Sequence, residues 1–232
     1  MFLCLIHRHS NDEHLNNNQT TLSFIMTKLT AQPFLELSKN RRSYYKLSKN
    51  LPISNDRVQE IVGELLRHSP TPFNAQTNRV VILFGDEHKK LWKLARETCM
   101  SLIAAAVGAE GAGARFDGFE NSAATIMFFT DNDKVKGFQE AYAFVAPKWP
   151  IWATQAEGML QYAVWTALEA EGLGCSLQHF NPEIDEKVAS TFDLPTGWKL
   201  SAQMVIGGIT DPSELPDKAF EPLEDRLKVL GA

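Results

Sequence analysis

The chain has 232 residues, of which 44% are apolar and 22% are charged, as in an ordinary globular protein with a sizeable core. The formal net charge of −5 argues against nucleic acid or an anionic membrane as a partner, and no apolar run reaches the roughly 18–20 residues that span a bilayer. The cysteines, Cys4, Cys99 and Cys175, are far apart and odd in number, which favours reduced thiols in the cytoplasm, or in the nucleus of a eukaryote.

The first 26 residues differ from the rest of the chain. Residues 2–6 are apolar but too few for a signal-peptide core. His7, His9 and His14 follow, but no downstream ligands join them, so we predict no metal site. We expect residues 1–26 to form a disordered extension and residues 27–232 to form a single domain.

Helices and strands alternate along residues 27–232. A short helix is predicted to end near Arg41, and Ser54 is the expected N-cap of an amphipathic helix over residues 54–69. Further helices are predicted over residues 86–107, 133–145, 153–171 and 183–192, with a glycine-rich loop at 108–118 and a break at 149–152. Strands are predicted over residues 79–85, 123–130, 175–178 and 199–207. The alternation is not a clean series of βαβ units, so the predicted class is α+β, with a central mixed sheet flanked by helices.

The stretch from residue 39 to residue 49 carries five cations and no acid. Such a stretch is often a solvated basic turn. A phosphate site is the alternative, because guanidinium groups bind phosphate oxygens as a fork and a hydroxyl adds a donor. Arg41, Arg42 and Ser43 supply these groups.

Two further segments carry polar groups suited to a ligand. Asn74 and Gln76, in the segment 69–76, match the polar edge of a pyrimidine-type ring, although they could equally satisfy local backbone. In the segment 172–179, glycines that could cap a helix precede His179. The common hydrolase, NTPase, metalloprotease and dinucleotide motifs are absent from the sequence, so we expect a cofactor to carry the chemistry.

In their order and spacing, these segments resemble the FMN-dependent nitroreductase family. The family pattern is Arg-x-Ser, then Ser-Pro-Ser-Ser-x-Asn-x-Gln, then Gly-Leu-Gly after a long core helix, then a Lys-containing tail that ends in Pro-Leu-Glu. The corresponding residues are Arg41-Arg42-Ser43, residues 69–76, Gly172-Leu173-Gly174, and Lys218 before Pro222-Leu223-Glu224. The amino-acid sequence of residues 176–182 and 222–226 is most similar to the fungal and bacterial subgroup of yeast nitroreductase-like proteins.

The resemblance implies a nitroreductase-like α+β fold and an intertwined homodimer with a C-terminal arm, in which both subunits build each FMN site. The residues expected to bind FMN are Arg41, Arg42, Ser43, Tyr45 and Lys218 from one subunit, Pro70, Thr71 and Asn74 from the other, Gln76 near the ring, and the backbone of Leu177, Gln178 and His179 at the ring edge. Phe73, Trp149 and Trp152 are predicted to form an aromatic wall over the open ring face.

The resemblance also implies an activity. NADH or NADPH would reduce FMN, and a nitroaromatic, a quinone or a similar small electrophile would then take the electrons at the same site, which gives ping-pong kinetics. FMN carries this chemistry, so no side chain is predicted to be catalytic, and replacing His179 with alanine is expected to slow the reaction only modestly.

Three residues depart from the family pattern. Tyr45 and Phe220 stand where many members have a cation, and Pro72 replaces the second serine. These departures predict weaker binding of FMN. They also leave open a flavin-binding sensor or regulatory protein of stress or lipid metabolism with little turnover, and a cofactor-free interaction module is a further alternative.

Overall fold

The computed structural model describes residues 30–212 and 215–232. The predicted extension over residues 1–26, with His7, His9 and His14, lies outside the described residues. The helices are α1 Gln32–Asn40, α2 Asn55–His68, α3 Gly85–Glu120, α4 Asn132–Ala141, α5 Trp149–Ala170 and α6 Asp185–Thr191. The strands are β1 Leu47–Ser48, β2 Asn78–Phe84, β3 Ala124–Asp131, β4 Leu173–Gln178 and β5 Trp198–Ile209. Short 3-10 turns occupy Pro72–Asn74, Ala143–Lys148 and Leu223–Asp225.

The five strands form one sheet with β5 at its centre. β4 pairs with one edge of β5, and β3 pairs with most of the other edge. β1 pairs with Gly208 and Ile209 of β5, and β2 lies outside β3. Every pairing between the described strands is antiparallel. The α+β class is therefore confirmed, whereas the sheet is antiparallel rather than mixed.

The antiparallel pairing of β2 with β3 follows from the path of α3. Phe84 pairs with Ala124, so α3 leaves and returns at the same end of the sheet. The helix turns back at Gly108, whose φ of +79° is readily adopted only by glycine. The halves are tied together where Arg96 Nε donates to Glu120 at 2.9 Å.

The predicted loop at 108–118 is wrong, because α3 continues to Glu120 after the break at Gly108. Alanine favours the helix, and the buried rings of Phe116 and Phe119 hold it against the core. The predicted break at 149–152 is also wrong. Pro150 lies in the first turn of α5, where its missing N–H group leaves no hydrogen bond unmade.

Other boundaries agree with the sequence. The Ser54 hydroxyl accepts a hydrogen bond from the Arg57 N–H at 3.1 Å, which confirms it as the N-cap of α2. Gly172, with a φ of +86°, turns the chain from α5 into β4.

Apolar side chains cover both faces of the sheet. One cluster includes Trp92 and Phe116 of α3 and Val188 of α6. The other packs α2 and α5 on the opposite face, with Leu160 of α5 fully buried. The end of α5 is thereby fixed beside β4. Within the described ranges, no helix is long and apolar enough to cross a membrane.

Candidate functional site

Residues 41–44, called here the basic turn, are clamped by α5 and β4. The Arg42 N–H donates to Glu169 Oε2 at 2.9 Å. Trp165 Nε1 donates both to the Arg42 carbonyl oxygen at 3.2 Å and to Glu169 Oε1 at 2.7 Å. The Tyr44 N–H donates to the Cys175 carbonyl oxygen at 2.9 Å. Both the backbone N–H and the backbone carbonyl of Arg42 are therefore held by the last turns of α5.

Three cations gather at the basic turn. The Arg41 guanidinium lies 4.5 Å from the centre of the Trp165 ring. Lys218 of the C-terminal tail donates to the Lys39 carbonyl oxygen, and the Arg42 guanidinium donates to another tail carbonyl. The pKa of Lys218 is lowered, first by partial burial and then by the positive charges of Arg41 and Arg42.

One acid, Glu169, lies among these cations. Burial raises its pKa to about 7, although the N–H donors of Arg42 and Trp165 and the charges of Arg41 and Lys218 act in the opposite direction. One carboxyl cannot balance three cations, and the half-buried Ser43 lies in the same turn. This donor set fits a phosphate group, as the resemblance to FMN-binding proteins requires.

Glu169 and Trp165 were not foreseen from the sequence. The one signal was a polar pair at i and i+4 near the end of a largely apolar helix. Such a pair indicates that the helix end contacts something polar, but it does not say what.

A cavity of about 320 Å³ lies beside the basic turn. Tyr45, Arg115 and Phe119 line it, and the Tyr45 side chain is 63% exposed. Arg115 is a cation that sequence reasoning did not single out. It lies beside the tyrosine that stands where the family pattern has a cation.

The three predicted residues at the end of β4 continue from the same edge. Leu177 and Gln178 are partly buried, and His179 is exposed. Among the described strands, β4 pairs only with β5, and on its other edge the Cys175 carbonyl oxygen accepts the Tyr44 N–H. His179 also lines a cavity of about 440 Å³ with Glu157 and Lys199.

The segment 69–76 adopts an unusual backbone. Phe73, Asn74 and Gln76 have φ values of 52°, 54° and 49°, a region that costs a non-glycine residue about 1–2 kcal/mol. The Thr71 hydroxyl accepts the Gln76 N–H at 3.0 Å, and Gln76 Nε2 donates to the Asn74 carbonyl oxygen at 3.4 Å. Exposed Pro70 precedes this turn. Backbone strain of this kind concentrates at functional sites.

The three aromatic residues of the predicted wall do form one cluster, but not one surface. Phe73 is 57% exposed and stacks on Trp152 with ring centres 6.1 Å apart. Trp149 is 1% exposed and lies 5.5 Å from Phe73. It is therefore too deeply buried to face a ligand in this protomer, and it supports Phe73 instead.

The aromatic cluster and the basic turn lie at opposite ends of α5. Trp152 and Glu169 are separated by 17 positions of the helix, or about 25 Å at ~1.5 Å per residue. Within one protomer, these two parts of the predicted site are not brought together. In the described residues, no group of His, Cys, Asp or Glu side chains is arranged to hold a metal ion.

Comparison with known proteins gives one consistent result. Residues 38–208, more than half of the chain, match the Nitroreductase family. Nitroreductase FRM2 of Saccharomyces cerevisiae is 34% identical over 188 residues, which cover 80% of this chain and 91% of FRM2.

Solved structures agree. Nitroreductase CinD from Lactococcus lactis, in complex with nicotinic acid, is 42% identical with a TM-score of 0.76, and the match covers 85% of this chain and 99% of CinD. A nitroreductase from Saccharomyces cerevisiae is 32% identical with a TM-score of 0.67, over 77% of this chain and 97% of that structure. The chain therefore belongs to the nitroreductase family, whose members are FMN-binding oxidoreductases that take electrons from NADH or NADPH.

Proposed function

We propose that this chain is a cytoplasmic homodimeric enzyme that uses FMN and NADH or NADPH to reduce nitroaromatics, quinones or similar small electrophiles. The observation that carries the proposal is the basic turn, which α5 and β4 hold with three cations around one acid. Bound FMN would supply the redox chemistry that links the nicotinamide donor to the acceptor. Residues 27–232 would act as one FMN-binding domain. The buried free thiols of Cys99 and Cys175 favour a reducing compartment.

The protein's own residues would bind and orient the reactants. Arg41, Ser43 and Lys218 would hold the phosphate, and Arg42 would be fixed beside it by Glu169. The backbone of residues 177–179 would border the ring, with Tyr45 and Arg115 at the cavity next to the turn. His179, at the proposed ring edge, is exposed. Solvent could therefore protonate the product there, and no side chain needs to transfer a proton.

A second copy of the chain supplies what one protomer lacks. The basic turn and the 69–76 segment lie about 25 Å apart along α5, so a shared site requires the segment of the partner subunit. Large apolar side chains are also exposed on α1, on α5 and on the tail, among them Phe34 at 56%, Ile151 at 60% and Phe220 at 78%. A homodimer would cover such surfaces, with the tail as an arm on the partner.

The aromatic cluster supports planar acceptors. CinD, the 42% identical relative, forms complexes with nicotinic acid and chloramphenicol, and at 41% identity with 4-nitrophenol. In this chain, the stacked rings of Phe73 and Trp152 offer an apolar platform to such molecules. We propose that they contact the acceptor, and that Trp149 supports them from below.

The test is the visible absorbance spectrum of the purified protein before and after NADH, then NADPH, is added without oxygen. Bound flavin that bleaches and is reoxidised by a nitroaromatic supports the proposal. Bound flavin that neither cofactor reduces favours the sensor alternative. A protein that ignores added FMN contradicts the proposal.

A matched pair of variants locates the binding site. Arg41→Ala is expected to weaken FMN binding. Lys90→Ala removes an exposed cation that pairs with Glu87 on α3 and should leave FMN binding unchanged. Equal effects of the two variants would argue against the basic turn as the phosphate site.

A further inference from the structure

Glu169 lies beside the basic turn, and each of its carboxylate oxygens accepts a hydrogen bond. Oε2 accepts the Arg42 N–H and Oε1 accepts Trp165 Nε1–H. The same indole N–H reaches the Arg42 carbonyl oxygen. The carboxyl is therefore a structural clamp on the turn and also a negative charge within it.

The groups that face Glu169 come from four elements. The basic turn supplies Arg41, Arg42 and Tyr44, the tail supplies Lys218, β4 supplies Cys175, and α5 itself supplies Trp165. Burial raises the pKa of Tyr44 and raises that of Cys175 well above its ordinary value, so neither ionises near neutral pH. Guanidinium groups stay charged in proteins. The pKa of Lys218 is lowered, but from an ordinary value of 10.5. Glu169, with a pKa raised to about 7, is therefore the group of this set that is placed to change charge around neutral pH.

A phosphate dianion arriving at this turn would meet that negative charge at close range. Like charges in a partly buried site disfavour each other, and the less costly state is the one in which the carboxyl is protonated. A protonated carboxyl can still accept a hydrogen bond and gains a donor, so the clamp need not open.

Building on the proposed function, we propose that Glu169 is a positioning residue of the phosphate site and that it takes up a proton when the phosphate of FMN binds. FMN affinity then rises as pH falls through neutrality. Were only the protonated form competent, a carboxyl with a pKa of about 7 would give a rise of at most about eightfold from pH 8 to pH 6.5. Protonation of the phosphate itself, with a pKa of about 6, would weaken binding at still lower pH and so acts in the opposite direction.

The experiment titrates the flavin-free full-length protein with FMN, and separately with riboflavin, at several values between pH 6.5 and pH 8. Riboflavin has the same ring without the phosphate. Calorimetry in two buffers with different heats of ionisation counts the protons that are taken up on binding. The variants are Glu169→Gln and a matched control, Glu171→Gln, which alters a nearby glutamate that pairs with Arg57 instead of the basic turn.

For wild type and Glu171→Gln, we expect FMN affinity to rise as pH falls, with a fraction of a proton taken up, and riboflavin affinity to stay flat. Glu169→Gln should abolish the slope and the proton uptake. Its amide has one acceptor oxygen for two N–H donors, so FMN affinity at pH 6.5 should fall about 2- to 12-fold while riboflavin affinity is unchanged.

Two results would overturn the inference: a slope that persists in Glu169→Gln, or a slope of equal size for riboflavin. Tight FMN binding without any pH dependence in wild type would overturn this inference and leave the proposed function intact. Failure of wild type to bind FMN at all would overturn both. Thermal unfolding of each variant verifies that a lost slope does not reflect a misfolded protein.

Discussion

Replacing Phe73 by alanine and by glycine separates the two features of the 69–76 segment, its aromatic platform and its strained backbone. Both changes remove the ring. Only glycine also relieves the φ of 52°, because it adopts this region without steric cost. The two variants should therefore agree in activity and differ in stability.

The magnitudes follow from the structure. Phe73 is 57% exposed, so a little under half of a side chain that buries about 150–250 Å² is covered, which is worth at most about 2 kcal/mol. In a chain of this length that loss lowers the melting temperature of Phe73→Ala by about 2–8 °C. Phe73→Gly should recover about 1 kcal/mol, or about 2–4 °C, relative to Phe73→Ala.

The assay combines thermal unfolding with steady-state kinetics on a nitroaromatic. Loss of one stacked ring is worth about 0.5–1.5 kcal/mol, so KM for the acceptor should rise about 2- to 12-fold in both variants. A melting temperature of Phe73→Ala at or above that of Phe73→Gly would refute the strain argument. An unchanged acceptor KM in both variants would refute the platform.

Three further predictions concern other parts of the fold. Burial lowers the pKa of His88 to about 4. The stability that the neutral imidazole contributes to the fold is therefore complete above the unfolded pKa near 6.5 and is lost as pH falls towards 4. The difference in free energy of unfolding between wild type and His88→Gln should narrow by about 3 kcal/mol from pH 7 to pH 4. Gly207→Ala should cost about 1–3 kcal/mol, because its Cβ would lie 2.5 Å from a backbone oxygen, whereas Gly137→Ala, with open space, should be neutral or stabilising. Trp165→Phe keeps a ring under Arg41 but loses the indole N–H, so FMN affinity should fall about 2- to 12-fold while riboflavin affinity stays constant; equal losses would contradict the clamp.

Local rules predicted most elements of this fold. The Ser54 cap, the apolar strands and the glycine turn after α5 each depend on neighbouring residues, and the structure has them within a few positions. The prediction for the second half of α3 failed because neighbouring residues do not decide its structure. Glycine among alanines resembles a loop, and what keeps it helical is tertiary packing of Phe116 and Phe119, which sequence periodicity did not reveal.

The candidate site was predictable only in part. Motif order identified Arg41, Ser43 and Lys218, and the structure places the side chains of Arg41 and Lys218 in one cation cluster. The clamp by Glu169 and Trp165 joins residues more than 120 positions apart, which no local pattern specifies. Burial likewise decided that Trp149 supports the aromatic cluster, since an exposed and a buried tryptophan look alike in sequence.

Helix α5 explains why the three motifs occur together. The 69–76 segment packs against its first turns, the basic turn is clamped by its last turns, and Gly172-Leu173-Gly174 leads directly from its end into β4. The length of one helix therefore sets the distance between the phosphate end and the aromatic end. Because that distance is about 25 Å, two antiparallel copies of α5 would bring the basic turn of one protomer to the aromatic cluster of the other. In the proposed homodimer, the motif set would belong to a pair of helices, and a change in the length of α5 should disable both sites at once even where each motif is intact.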